Sequence, residues 1–413
     1  MVLTPLAFTS ITLAQNANYV KTIKMLDEQQ KNQNASYQFY DGLGRLYQTA
    51  TNGLGSSGSY LYIHKGYDGY ERISREWFPV IGNTESSLMD EDAIRSLSNS
   101  QYNDEYTYKE TTYDALDRVV SINKGGNDWM GKSVNQEYVT NDMDKLKVKH
   151  YIAPMDNSYS LKEGEDYTAG TLSGVKTTDE DGHTLIVFSD LLGQKILERR
   201  DGNNDTYYVY NDLGQLRYVL SPDYQNHGYK AILAYEYRYD ERGRVVKKIL
   251  PGCEYTQYWY DKDDRMSFMQ DANLRRHGKY RFMLYDNLNR LCVQGLCSSC
   301  DRSFTNGCEH PTLVYSKDNV GFLGTNYVLS QSGLINNATI EMVCYYDKYD
   351  FLSGNGSGFF SSLSVNSSVN VMGLKTGSIV QTSNGGYIYS AIYYNSKGLP
   401  IETSRAWNNY IEI

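Results

Sequence analysis

The sequence predicts an all-β protein, an antiparallel array of β-hairpins with one short helical insertion, and three observations carry that reading. A seven-residue unit, Tyr40-Asp41-Gly42-Leu43-Gly44-Arg45-Leu46, recurs along the chain; its flanks are aromatic and β-branched; and tyrosine is in large surplus, with 40 Tyr against 11 Phe. Self-similarity at a period of roughly 20–50 residues marks a repeat architecture. The best further copies begin at Tyr113-Asp114, Tyr210-Asn211, Tyr239-Asp240, Tyr260-Asp261 and Tyr285-Asp286, and weaker ones start at Asp68, Asn141, Asp190, Asp347 and Asn395.

Each position in the unit has a physical reason. The first turn position is always Asp or Asn, and the position three later is Gly, Asp or Asn except where Glu71 stands. Asp or Asn opening a type I turn accepts hydrogen bonds from the backbone just ahead, and the fourth residue then enters the left-handed region. Glycine reaches that region freely, and Asn and Asp tolerate it better than other residues. A type I turn followed by a left-handed residue is a common three-residue hairpin connection. Asp41 and Gly44, Asp114, Asn211's partner Gly214, Asp240 and Gly243, Asp261, and Asp286 are therefore read as turn residues, and one copy as one hairpin.

The slot after the turn holds Arg45, Arg118, Arg244, Arg265 or Arg290, with Arg72, Lys145, Gln194 and Gln215 in other copies. Alternation along a strand directs that residue outward and the following aliphatic one inward. The motif tyrosines, including Tyr40, Tyr113, Tyr210, Tyr239, Tyr260 and Tyr285, are expected to pack their rings and keep their hydroxyls near water, as in a thin or hollow wall. The copies at Asp347 and Asn395 carry Phe351 and Leu399 in the polar slot and read as degenerate terminal units.

Taken in order, residues 1–36 form a leader and first strands. The stretch Met1 to Ala14 reads either as a signal sequence cleaved after Ala14 or as an internal strand, and Asn18 to Ile23 reads as strand. Residues 37–181 hold irregular repeats interrupted near 84–105 by a helix, with Leu88, Ile94 and Leu97 near helical spacing and Ser86 or Ser87 as cap. Residues 182–297 hold regular repeats, with starts at Asp190, Asn211, Asp240, Asp261 and Asp286 spaced 21, 29, 21 and 25 residues apart, enough for two strands and two turns. Residues 298–413 are a Ser/Gly-rich, looser extension of the sheet. A lone hairpin cannot bury its apolar face, so neighbours must stack edge to edge into a sheet that twists and tends to curl.

A formal net charge of −9 and a pI near 5.3 argue against nucleic acid or an anionic membrane as partner. No segment reaches the ~18 consecutive apolar residues of a membrane span. Cys297, Cys300, Cys308 and His310 supply four possible tetrahedral ligands for zinc, but the second spacing is wrong for a zinc knuckle; an oxidised loop staple and ordinary thiols are the competing readings. The six histidines are scattered, and the repeated acids have a turn role, so no catalytic residue and no cofactor are expected. Tyrosine-rich faces also stack sugars, which keeps a surface glycan open as a partner against the simpler reading that the rings pair across strands.

The unit Tyr-Asp-x-x-Gly-Arg-Leu resembles the YD repeat of the RHS family from Tyr37 to about Leu296. The segment from Tyr37 to Leu46, with Tyr167 to Leu172, Thr177 to Gly182 and Asp205 to Tyr210, is similar to the N-terminal region of RHS proteins from Bacteroidetes. The resemblance implies a secreted or cell-surface scaffold for interbacterial competition, its repeats spiralling into a partial hollow shell around a protein cargo, a toxin, or joined to the remaining shell or toxin chain. The sequence has no Asp-Pro-x-Gly-Leu core signature and no effector domain after it, so a truncated or split member is the expectation.

Overall fold

The computed structural model describes residues 9–10, 18–26, 33–52, 59–82, 88–142, 144–154, 161–226, 231–300, 311–331, 335–353, 369–407 and 410–412. The chain forms two compact units, one of residues 1–151 and 163–207, the other of 152–162 and 208–413. Both are antiparallel hairpin arrays.

In the first unit, strand Asn18–Met25 pairs with Gln33–Tyr40, which pairs with Leu46–Asn52, which pairs with Tyr60–Tyr67. Burial alternates along Gln33–Tyr40, with Ala35, Tyr37 and Phe39 inward. They meet Ala50, Tyr62, Trp77, Val80 and Ile94 in one apolar cluster, and each fully buried large side chain there stabilises the fold by about 1.5–3 kcal/mol. The array continues through Ile73–Trp77, Tyr108–Tyr113, Val119–Asn123, Ser133–Thr140, Ser173–Thr178, Thr184–Ser189 and Lys195–Arg200.

The expected helix is Glu91–Tyr102, but its cap is Asp90, whose side chain accepts from Ala93 N at 2.7 Å. Ser86 and Ser87, read as caps from the sequence, lie outside the described residues. Asp also outranks most residues as a cap because its carboxylate faces the positive end of the helix. Two one-turn helices, Pro222–Asn226 and Ala272–Arg276, were not expected. Asp271 caps the second, accepting from Leu274 N at 2.8 Å.

In the second unit, strands Leu216–Leu220, Ala234–Tyr239, Val245–Ile249, Thr256–Tyr260, Met266–Gln270, Tyr280–Asp286 and Leu291–Cys297 pair in sequence order. Leu291–Cys297 then pairs with Thr339–Tyr346, and the order resumes through Lys375–Gln381, Tyr387–Tyr394 and Pro400–Trp407. Thr312–Tyr315 departs from the pattern by pairing parallel to Tyr280–Asp286. The Ser/Gly-rich extension thus continues the sheet through Thr339–Tyr346, Lys375–Gln381, Tyr387–Tyr394 and Pro400–Trp407, interrupted by 3-10 turns at Phe322–Gly324 and Asp350–Leu352; its runs at 354–358 and 366–368 are outside the described residues. A buried cluster from Phe268 to Ala406 includes a face-to-face stack of Tyr345 on Phe351, centroids 4.4 Å apart.

Candidate functional site: the junction between successive hairpins

The turns form as their chemistry dictates. Asp41 N donates to Arg45 O at 3.0 Å, Gly44 N to Asp41 O at 3.1 Å, and Asp41 Oδ1 accepts from both Leu43 N and Arg45 N at 2.9 Å. The same four bonds recur at Asp68, Asp114, Asp179, Asp190, Asn211, Asp240, Asp261, Asp286 and Asn395. The fourth residue is left-handed even where it is not glycine: φ is 69° at Glu71, 63° at Asp117, 62° at Asp264 and 62° at Asn289. At most motif tyrosines, as between Trp259 and Tyr260, the register shifts by one residue, the bulge this turn imposes. The Asn395 copy is therefore a complete turn that lacks only the guanidinium.

The slot arginines do not point into solvent as strand alternation alone would have them. Each folds back so that Nε donates to the carboxylate of its own turn, at 2.7 Å for Arg45–Asp41, Arg118–Asp114, Arg244–Asp240, Arg265–Asp261 and Arg290–Asp286. Backbone and guanidinium donors hold the Asp41 and Asp114 carboxylates below their ordinary range, and the Arg72 side chain does the same for Asp68.

The same guanidinium lies over the ring of the next hairpin's tyrosine: Arg45 over Tyr67 at 4.5 Å, Arg72 over Tyr113 at 4.7 Å, Arg118 over Tyr138 at 4.0 Å, Arg244 over Tyr260 at 4.6 Å, Arg265 over Tyr285 at 5.1 Å and Arg290 over Tyr346 at 4.4 Å. That tyrosine's hydroxyl in turn donates to the carbonyl of the residue after the slot. The bonds are Tyr67 to Leu46, Tyr113 to Ile73, Tyr138 to Val119, Tyr239 to Leu216, Tyr260 to Val245, Tyr285 to Met266, Tyr346 to Leu291 and Tyr394 to Lys375, from 2.6 to 3.2 Å. These eight hydroxyls are thus used between hairpins, because a carbonyl of the neighbouring hairpin lies within reach of each, whereas that of Tyr40 donates to Gln38 Oε1 in its own strand.

Nη1 completes the junction by reaching the left-handed residue of the next turn: Arg72 to Asp117 at 2.8 Å, Arg244 to Asp264 at 2.7 Å and Arg265 to Asn289 at 2.9 Å. Asp or Asn at that position is therefore more than a tolerated left-handed residue; it receives the preceding arginine.

Two copies are corrected by the geometry. The turn expected at Asn141 begins one residue later, with Asp142 Oδ1 accepting from Asp144, Lys145 and Leu146 N. Asn141 is engaged elsewhere, its amide donating to Tyr167 O and Thr168 O and accepting from Leu172 N. At Asp347 the turn is opened by an insertion. Asp347 N donates to Leu374 O at 3.0 Å, and Gly373, at φ 82°, donates to Asp347 Oδ1 at 2.7 Å across 26 positions. Tyr346 faces Lys375 in the usual register with the usual bulge. The slot residue is accordingly Leu374, and Phe351 belongs to the core. Arg290 clamps the opened turn with Nη1 and Nη2 on the two Asp347 oxygens at 2.8 and 2.6 Å.

A pocket of about 200 Å³ adjoins this clamp, lined by Asp286, Arg290, Tyr315, Tyr327, Tyr346 and Asp347 among others. Both of its carboxylates bond Arg290, and Arg290 holds that of Asp347 below its ordinary range, the opposite of what a general acid requires. Of the zinc candidates, Cys297 is buried at the end of its strand, Cys300 ends the two-residue strand Ser299–Cys300, and Cys308 and His310 lie outside the described residues. Among the described residues no group of three or more His, Cys, Asp or Glu is placed to hold a metal. Cys292 is buried in the core with its thiol pushed up to about 12 by burial. No helix among the described residues is long and apolar enough to cross a membrane.

Fold and junction together define an antiparallel hairpin-repeat protein in which six of the described units are fastened to the next by the same Asp, Arg and Tyr. A family described as a domain of unknown function, DUF6443, matches residues 10–141, and no curated protein sequence matches the chain. Among solved structures, the chain is similar to TcdB2-TccC3 without its hypervariable C-terminal region, with a TM-score of 0.45, 14% identity, and coverage of 96% of this chain and 19% of that one. It is also similar to TcdB2-TccC3-TEV, with a TM-score of 0.44, 12% identity, and coverage of 96% and 20%. The Photorhabdus luminescens Tc holotoxin pore follows with a TM-score of 0.41, 12% identity, and coverage of 96% and 19%. The chain spans about a fifth of the length of the structures it matches.

Proposed function

We propose that this chain is a non-enzymatic wall segment of an RHS-type shell that encloses or presents a protein partner, a toxin in interbacterial competition, outside the cell. The observation that carries the reading is the junction itself. In the arginine-bearing copies the turn acid holds its own arginine while that arginine and the next tyrosine join one hairpin to the next, which is the task of a wall. The motif tyrosines that donate to carbonyls of neighbouring hairpins are likewise engaged, which counts against a sugar-stacking row. Electron microscopy of the purified chain tests the proposal: a curved wall around an empty interior is expected, and a flat or rod-like sheet would overturn the container role.

A further inference from the structure

The strand Tyr60–Tyr67 is flanked on one side by two shorter strands, Ile73–Trp77 beside Lys65 to Tyr67 and Val80–Gly82 beside Tyr60 to Tyr62. Ile73–Trp77 is followed in the sheet by Tyr108–Tyr113. Val80–Gly82 has Tyr60–Tyr67 as its strand neighbour, and its far side meets the helix Glu91–Tyr102. In an antiparallel ladder, residues alternate between exchanging both backbone groups with the partner and presenting both outward. Ile81 is an outward one: its N–H donates to Gln101 Oε1 at 2.9 Å and its carbonyl accepts from Gln101 Nε2 at 2.6 Å.

A side-chain amide offers an acceptor and a donor side by side, so Gln101 reproduces what a neighbouring strand would present to Ile81. The next residue, Tyr102, donates its hydroxyl to Pro79 O at 2.7 Å and packs its ring on Phe78. The helix is fixed for this task. Gln48 donates to Met89 O and accepts from Met89 N, both at 2.9 Å, just before the Asp90 cap, and Ile94 is buried in the sheet's cluster. Exposed strand edges are commonly protected by charge or proline, yet Val80, Ile81 and Gly82 carry neither, and Ile81 is 47% exposed.

We infer that the helix Glu91–Tyr102 is an edge guard, in which Gln101 occupies the hydrogen-bonding positions that the same edge of a second copy would otherwise take. The occupant follows from the chemistry of the edge. Two copies of an uncharged edge related by a twofold axis pair antiparallel, each presenting the other with the same outward donor and acceptor at Ile81.

The test uses the full chain. Gln101→Ala is expected to raise hydrogen exchange at the Ile81 amide and to give a light-scattering mass that climbs with concentration towards twice the wild-type value. Adding Ile81→Pro removes the outward N–H without touching the inward ladder and is expected to restore the wild-type mass. A mass for Gln101→Ala that stays at the wild-type value over the concentration series overturns the proposal. So does association that persists in the double variant, because that marks general unfolding instead of strand addition.

Discussion

Replacing Arg265 by alanine removes the most enclosed guanidinium of the motif. Its side chain is 7% exposed and that of its partner Asp261 only 1%. The substitution leaves Asp261 with the N–H groups of Asp263 and Arg265 but no countercharge, and it deletes the stack on Tyr285 and the bond to Asn289. Breaking a buried ion pair costs about 3–5 kcal/mol, and the two remaining N–H bonds place the cost near the lower figure. Arg118 makes the same contacts to Asp114 but is 42% exposed, where an ion pair contributes only about 0–1 kcal/mol. The difference, about 2 kcal/mol, is roughly a thirtyfold change in local opening. Native-state hydrogen exchange reads it separately in the hairpins Thr256–Tyr260/Met266–Gln270 and Tyr108–Tyr113/Val119–Asn123. Arg265→Lys is expected to recover little, since an ammonium cannot make the forked contact. Equal losses at the two sites would refute the argument that burial sets the strength of each junction.

Tyr285→Phe strands the Met266 carbonyl and is expected to cost about 1 kcal/mol in denaturant titration, a neutral outcome showing that the hydroxyl bond does not hold the hairpins together. Glu71→Gly removes a bulky residue from φ 69° and is expected to raise stability by about 1 kcal/mol, with a lowered melting temperature as the contrary result. Gly295→Ala brings a methyl within 2.1 Å of Thr339 O and should cost about 1–3 kcal/mol by the same titration, whereas unchanged stability would mean the strands can separate freely there. Burial pushes the His64 imidazole down to about 4, so the folded state prefers it neutral. Its stabilisation is complete above the unfolded value near 6.5 and is lost as pH falls from there towards 4, up to about 3 kcal/mol; His64→Asn should flatten that part of the stability profile, and an unchanged slope would assign the loss to other groups.

The turns were legible because one residue decides each bond: Asp41 or Asn211 opens the turn within four positions of its partners, and the left-handed site selects Gly, Asp or Asn. The partner of the slot arginine was not legible, since Arg72 meets Tyr113 and Asp117 only after a helix has been inserted between them. Outward alternation assigned Arg265 to solvent because a strand pattern records which face a residue leaves from, not that a long side chain can turn back along it. Asp347 was recognised, but its glycine stands 26 positions away, and the nearer Phe351 took the slot on spacing alone. Asn141 sits beside an equally competent Asp142, and only the loop it pins, 167–172, separates them. Gln101 carries no local signal at all; its role exists because Ile81 lies opposite.

The opened turn at Asp347 shows where this kind of chain can change length during evolution. Asp347, Gly373 and the Arg290 clamp keep the two strand ends in register, so the insertion leaves the pairing of Tyr346 with Lys375 as it is in uninterrupted copies. An odd number of residues added within a strand would reverse the faces of those beyond it in that strand, whereas material added at a hairpin tip alters neither neighbour. Descendants of such an array can therefore diversify at the tips, one at a time, while the lattice of Asp, Arg and Tyr beneath them is inherited unchanged.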